Sequence, residues 1–253
     1  MIRYQINEPM DKDIFGRAFH DYMAGKTDGV ILVETSLTEI EDLPVSYFFR
    51  SYKEMPEWEQ LVIDRCRGRV LDVGAGAGSH ALELQDRGMQ VCAVDVSPGA
   101  VETMRRRGVA DARCVDFFDL KEGGFDTILF LMNGAGMAAT LEGLDLLLRN
   151  AADLLNANGK IYLESTDLIY MFEEEDGSFL VPMQDKYYGE LEYRLVYDGI
   201  QGKPFPWLFV DADNLMDIAE KCGFLTEIIF SSDNLNYIAC LTRKTDLPKN
   251  ERL

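Results

Sequence analysis

Histidine is scarce in this 253-residue chain: there are two, His20 and His80, far apart and without ligand spacing. A metal site therefore has little support, since zinc and its relatives need several nitrogen, sulfur or carboxylate ligands brought together. Basic residues are also few, with 25 Lys and Arg against 44 Asp and Glu, a formal net charge of −19. A chain this acidic is repelled by phosphate backbones and anionic membrane surfaces, which sets nucleic acid and membrane aside as partners. The basic cluster Arg105-Arg106-Arg107 falls in the last turn of a helix pattern, where cations suit the helix dipole. The five cysteines (66, 92, 114, 222, 240) contain no C-x-x-C pair. So odd and scattered a set reads as reduced core thiols of a cytoplasmic protein. No apolar run approaches the ~20 residues that span a bilayer, and the N-terminus has neither a signal-peptide nor a transit-peptide pattern. Internal repeats and low-complexity tracts are lacking too. What is present is a composition of 47% hydrophobic and 27% charged residues, ordinary for a soluble globular protein. The length suffices for one substantial core, or one core plus a small accessory region.

The most informative stretch is Val70-Leu71-Asp72-Val73-Gly74-Ala75-Gly76-Ala77-Gly78. An apolar strand meets an acidic residue, then three glycines at alternate positions, and a helix pattern from Ser79 to Arg87 follows at once. Such a strand-to-helix turn needs glycine where φ is positive and where backbone must come close to a ligand. The dinucleotide fingerprint G-x-G-x-x-G requires its third glycine at position 79, which is Ser here. A pyrophosphate also prefers a bare helix N-terminus, whereas Asp72 beside the glycines suits a ligand bearing an ammonium.

The rhythm that follows is strand and helix in alternation. Residues 89–95 form a nearly all-apolar second strand ending in Asp95, 23 residues after Asp72. A carboxylate at about that spacing accepts from both vicinal hydroxyls of a ribose. Ser97-Pro98 is a helix N-cap followed by Pro at the first helical position, and Gly108 closes that helix. Residues 112–115 give a short third strand ending at Asp116-Phe117, and 125–131 a fourth ending at Met132-Asn133-Gly134. A helix over 138–155, a fifth strand over 160–165, a helix over 211–222 and two closing strands over 224–231 and 236–243 complete the run. The alternation predicts a parallel sheet with right-handed crossovers, and the closing strand–turn–strand an antiparallel pair.

Asp-x-Gly-x-Gly-x-Gly followed by this order resembles motif I and the fold of the class I S-adenosylmethionine-dependent methyltransferases, over residues 69–244. The resemblance implies an α/β, doubly wound, Rossmann-like sheet of seven strands, mostly parallel, with the last inserted antiparallel. It implies S-adenosylmethionine as cofactor and methyl transfer to a small-molecule acceptor as activity. Carried over by position, Asp72, Gly74, Gly76 and Gly78 would surround the cofactor's amino-acid end, and Asp95 with Val96 the ribose. Asp116 would receive the adenine amino group and Phe117 back the ring, while Asn133 and Gly134 would lie under the methionine part. Two other function classes stay open: a cofactor-binding regulatory or assembly protein without methyl transfer, and a nicotinamide-dependent oxidoreductase.

The accessory parts are residues 1–68, a helical and aromatic cap, and an extension at 166–210 within the 69–253 domain. In the cap, Ile14, Phe15, Ala18, Phe19 and Tyr22 form an apolar helical face, 29–35 reads as a short strand, and 57–66 as a second helix. Tyr47, Phe49, Arg50 and Tyr52 come from an aromatic stretch that either roofs the crevice or packs an accessory core. Arg50 is also a partner for a carboxylate of cofactor or substrate. The extension is far longer than an ordinary connection. It reads as a small antiparallel unit from strands at 178–182, 190–197 and 204–210, whose Trp207 either walls a substrate pocket or helps form a homodimer contact. No general base is identified; His20 lies in the right region, and His80 reads as positional.

Overall fold

A computed structural model of the protein describes residues 13–174, 176–180 and 186–244. In chain order the elements are α1 (Ile14–Met23), β1 (Val30–Thr35), β2 (Glu41–Pro44), α2 (Glu57–Arg65), β3 (Arg69–Val73), α3 (Ser79–Asp86), β4 (Gln90–Asp95), α4 (Pro98–Arg107) and β5 (Ala112–Cys114). There follow β6 (Phe125–Phe130), α5 (Leu141–Leu154), β7 (Leu155–Thr166), β8 (Glu190–Tyr197), β9 (Ile200–Gln201), β10 (Phe205–Leu208), α6 (Ala212–Lys221), β11 (Phe224–Ser231) and β12 (Asn236–Arg243).

Seven strands form the main sheet in the order β11-β12-β7-β6-β3-β4-β5. The pairs from β7 through β5 are parallel, and β12 runs antiparallel to both β7 and β11. The strands read as near-continuous apolar runs because both faces are covered. In β3, Leu71 and Val73 point into a core with α5 and α6, where Leu144, Leu148, Leu215 and Ala219 are buried. Val70 points to the opposite core, which holds Val62 and Ile63 of α2 and Leu84 of α3. The same alternation in β6 sends Ile128 and Phe130 one way and Leu129 the other, as the strand period of two demands.

Local signals set the helix ends. Ser97 Oγ accepts from the Ala100 N–H at 2.9 Å, and Gly108 at φ +101 ends α4. The helix expected over 138–155 starts later, at Leu141, because Ala139 takes φ +68 and Thr140 becomes the N-cap; residues 134–138 form a 3-10 turn instead.

The accessory parts bring the larger revision. Residues 1–68 are helical at α1 and α2, but they also supply β1 and β2, and these do not stand apart from the extension. A second, antiparallel sheet has the order β10-β8-β1-β2, with β9 on β8. β1 of the cap lies between β2 and β8, pairing Leu32 with Val196 and Val33 with Leu195. The physical reason is the alternation in both partners: Ile31, Val33, Leu195 and Tyr197 all bury one face against Phe19 and Ala18 of α1. The strand expected over 178–182 lies partly outside the described residues; within them Phe179 makes only an isolated bridge to Glu173. The second sheet is anchored over the carboxyl ends of the main one. Val210 N–H donates to Ser165 Oγ at 2.9 Å, and Tyr237 O–H donates to the Val210 carbonyl at 2.7 Å.

Candidate functional site

The sheet and its roof line a cavity of about 830 Å³, open on one side, along the carboxyl ends of β3 to β7. A crevice outside those ends is where an open α/β sheet holds ligands. The floor is the turn after β3. Gly74 and Ala75 both donate backbone N–H groups to the Val94 carbonyl, at 2.9 and 3.1 Å, which clamps the turn to β4. Gly74 and Gly76 sit at φ +69 and +56 and line the cavity. Gly78, at φ +83, faces the other way. A Cβ there would lie 2.9 Å from Met104 and 3.0 Å from Val109, so this glycine serves the close packing of α3 on α4 and not the ligand side.

Four carboxylates stand around this floor. Asp72, 2% exposed, leaves its Oδ2 buried and without a hydrogen-bond partner. Burial raises its pKa, opposed by the His80 charge and a hydrogen bond from the Ala81 backbone. Asp95 closes β4. Its Oδ2 accepts from the Gly76 N–H and its Oδ1 from the Ser97 N–H, both at 2.9 Å. Burial pushes it up to about 6 against those two bonds. Asp116 follows β5 and caps a short turn by accepting from the Phe118 N–H at 2.9 Å, beside the buried Phe117. Glu164, near the end of β7, accepts from the Met132 N–H at 2.7 Å. Burial, reinforced by the Glu59 charge, lifts its pKa to about 7.

The loop after β6 is held in a costly conformation. Met132 and Asn133 both take positive φ, +55 and +54, although neither is glycine. Such backbone persists only where surroundings over-determine it, and it clusters at functional sites. Here Glu164 holds the Met132 N–H, and Asn133 Nδ2 donates to the Leu208 carbonyl of β10 at 3.3 Å. Asn133 Oδ1 is buried without a partner.

A buried ionic relay ties the floor to the roof. Glu59, 0% exposed, accepts from His80 Nε2 at 2.7 Å and from the Arg50 guanidinium at 2.9 and 3.1 Å. Burial alone would raise Glu59, but the hydrogen bond and charge of His80, with Arg50 behind them, bring it below its usual value. Burial opposes protonation of His80, yet the Glu59 hydrogen bond and the Asp72 charge raise its pKa overall. Arg50 also donates to the Tyr47 carbonyl at 2.6 Å and lies over the Tyr47 ring, 3.4 Å from its centroid.

Of the residues singled out in the sequence, Asp72, Gly74, Gly76, Asp95, Val96, Asp116, Phe117, Asn133, Tyr47, Arg50 and Trp207 all line this cavity. Gly78 does not. His20 is exposed, 4.0 Å from Asp21, and outside the cavity. Tyr52 is spent on Asp64, to which its hydroxyl donates at 2.9 Å, and Phe49 stacks on Tyr22, so neither roofs the crevice; Phe48 does. Arg50 is already paired with Glu59 rather than kept for a ligand carboxylate. Trp207 packs so tightly on Gly136 that a Cβ there would fall 2.0 Å from the indole. Sequence reasoning missed Glu59 and Glu164. Glu164 left a signal: it is the one charged residue in the apolar run Ile161-Tyr162-Leu163-Glu164 at the carboxyl end of a strand. Glu59, inside a polar-looking helix, left none.

The methyltransferase-domain family matches residues 70–159. A solved S-adenosylmethionine-dependent methyltransferase from Bacteroides fragilis, crystallised with S-adenosyl-L-homocysteine, is 42% identical. It superposes with a TM-score of 0.86, covering 93% of this chain and 97% of that one. A curated relative from Staphylococcus carnosus, described as an uncharacterized methyltransferase, is 26% identical over 186 residues, 72% of this chain and 80% of the relative. An amino pentose methyltransferase from Micromonospora echinaspora, at 15% identity and a TM-score of 0.52 over 76% of this chain and 94% of that one, shares the fold alone. Agreement along almost the whole length of a 42% identical S-adenosylmethionine-dependent relative sets the nicotinamide alternative aside: the chain belongs to the class I S-adenosylmethionine-dependent methyltransferases.

Proposed function

We propose that this enzyme methylates a small molecule enclosed between the main sheet and the second, antiparallel sheet. The observation that carries this is the roof: strands β1, β2, β8 and β10 and residues 45–50 stand over the crevice and bound a cavity of about 830 Å³, in the size range of small-ligand sites. The acidity of the chain, −19 in all, adds to the case against nucleic acid.

In this reading residues 69–253 supply the cofactor domain, while 1–68 and the 166–210 extension roof it. The buried, partnerless Asp72 Oδ2 fits an ammonium, and the positive-φ Gly74 and Gly76 offer backbone without side chains at the same place. Asp95 would hold the ribose hydroxyls beside Val96, Asp116 and Phe117 the adenine, and Asn133 the methionine part. S-adenosylmethionine, when bound, supplies an activated methyl on a sulfonium. The chain's own tasks are then to align the acceptor and exclude water, and positioning of that kind supplies up to ~7–11 kcal/mol. Tyr47, Arg50 and Trp207 belong to the acceptor side.

No helix among the described residues is long and apolar enough to cross a membrane. All five cysteines are unpaired, which favours the reducing cytoplasm as the place of work. Exposed Phe179 and Leu180 on the extension favour a homodimer, which sedimentation would reveal. Calorimetry with S-adenosylmethionine, S-adenosylhomocysteine and NAD in parallel tests the cofactor assignment, with micromolar binding of the first two and none of NAD expected. A screen for S-adenosylhomocysteine release over small acceptors then tests the activity; turnover confined to nucleic acid or protein would overturn the reading.

A further inference from the structure

The cavity extends past the part that a cofactor seated on the glycine turn requires. Asp95 ends β4, one strand to one side of the turn, and Glu164 ends β7, two strands to the other side. Three strand spacings separate them, roughly 14 Å. Beyond β6 the walls change character. Tyr193 and Trp207 stack with ring centroids 5.9 Å apart, and Phe205 stands edge-on to Trp207 at 5.9 Å. Glu41 and Asp42 of β2 line the rim, and Glu164 lies at the base. Three positive groups also line the cavity: Arg50 and His80, both paired with Glu59, and Lys203, two residues before Phe205. An acceptor lying between Tyr193, Trp207 and Glu164 meets aromatic faces and a carboxylate whose nearest cations are already held by Glu59. Aromatic faces attract cations, and a desolvated cation needs a carboxylate partner.

Building on the small-molecule reading above, we propose that the acceptor is a primary or secondary amine on an apolar or aromatic body, and that Glu164 binds its ammonium and takes the proton that must leave before methylation. The ammonium gives one proton to the Glu164 carboxylate, which frees the nitrogen lone pair. The N–CH3 bond forms as the S–CH3 bond of the donor breaks, and that electron pair stays on sulfur. The product leaves as the N-methylammonium, and Glu164 passes its proton to water. An alcohol or a carboxylate would gain nothing from the same surroundings: a neutral hydroxyl is far too weak an acid for this base, and a carboxylate would be repelled by Glu164, Glu41 and Asp42. The groups facing Glu164 from the packed elements are Glu59 and Trp58 of α2, His80 of α3, and Tyr47 of the roof. Together with burial they leave its pKa at about 7, in the range a base needs to work near neutral pH.

The test uses the full chain and two readouts. The first is equilibrium binding of benzylamine, phenethylamine, N-methylphenethylamine and hexylamine to protein saturated with S-adenosylhomocysteine, against 2-phenylethanol and phenylacetate. The second is S-adenosylhomocysteine release with the same compounds. The amines are expected to bind at least tenfold more tightly than the alcohol and the carboxylate, and to support release. In Glu164→Gln, which keeps an oxygen for the Met132 N–H, amine affinity is expected to fall at least tenfold and turnover roughly 10²- to 10⁴-fold. S-adenosylhomocysteine affinity should change by less than about twofold, and the limb of the kcat/KM profile that rises near pH 7 should vanish. Amines that bind no better than the alcohol, or a Gln variant with wild-type amine affinity and pH profile, would overturn the proposal. A protein that binds neither S-adenosylmethionine nor S-adenosylhomocysteine would instead overturn the cofactor assignment on which it rests.

Discussion

Asp95 and Gly76 sit on the same hydrogen bond and make separable predictions. Asp95→Ala removes the acceptor proposed for the ribose hydroxyls and releases the Gly76 N–H. S-adenosylmethionine affinity should fall by about 1.5–3 kcal/mol, roughly 10- to 150-fold, read by calorimetry. Its pH dependence follows from burial, which places the Asp95 pKa at about 6 in the free protein. Hydroxyl donors favour the anion, so binding releases a proton below that value, and wild-type affinity should tighten as pH rises from 5 to 7. The Ala variant should lack the Asp95 part of that slope; equal slopes would remove Asp95 from the ribose role. Gly76→Val meets a different obstacle. A Cβ at 76 has room, with Phe48 at 3.6 Å, but it enters the cavity at φ +56, where a β-branched residue is strained. Circular dichroism should show a folded protein and calorimetry no cofactor binding. A folded variant with normal affinity would mean that the glycine turn has another purpose.

Among the elements, α2 carries a buried charge beside its apolar face of Val62 and Ile63. Glu59 joins α2 to α3 through His80 and to the roof through Arg50. In Glu59→Gln the Arg50 and His80 charges remain buried with poorer partners, and loss of one member of such a set costs about 3–5 kcal/mol. The melting temperature should drop on the order of 10 °C. The pH window follows from the two shifts. Glu59 sits below its ordinary 4.5, so its contribution is fully present above that pH and is lost as pH falls through the lowered value. His80 sits above its ordinary 6.5, so its contribution is fully present below that pH and fades as pH rises through the raised value. The gap between wild type and Glu59→Gln should therefore be widest between about 4.5 and 6.5 and narrow on the alkaline side. A gap independent of pH would leave His80 neutral throughout and outside the relay.

For the whole molecule, the decisive fact is that the chain crosses its own boundary. β1 comes from the cap, β8 and β10 from the extension, and they share one sheet. From the sequence alone, a chain starting near Glu57 should keep much of the main sheet, lose turnover and bind the cofactor less well. The pairing changes that expectation. Without β1 and β2, the edge of β8 is left unpaired and Leu195 and Tyr197 are uncovered, while Glu59 loses Arg50. An exposed apolar strand edge templates aggregation. A chain starting at Glu57 should bind a hydrophobic dye, elute as soluble aggregate on size exclusion and transfer no methyl. A monomeric, cooperatively melting product would show that the second sheet is dispensable to the first.

The sequence by itself determined the strands and helices of the main sheet, their parallel run with an antiparallel close, and, through the motif, the cofactor family. Those depend on local signals: apolar runs of strand length, glycines where φ must be positive, caps and turns, all of them readable in windows of ten to twenty residues. It also determined which carboxylates end the strands, since Asp72, Asp95 and Asp116 each follow an apolar run. Only the tertiary structure decided the rest. β1 and β8 are more than 150 residues apart, and two alternating strands carry no label for their partner. That Gly78 serves packing, that Tyr52 is taken up by Asp64, and that Arg50 belongs to Glu59 depend on distances between elements, which no spacing encodes. Glu164 shows the division within one residue. Its place near the end of an apolar strand was open to reading, but its raised pKa and its place in the cavity wall arise from burial and from the neighbours that folding assembles around it.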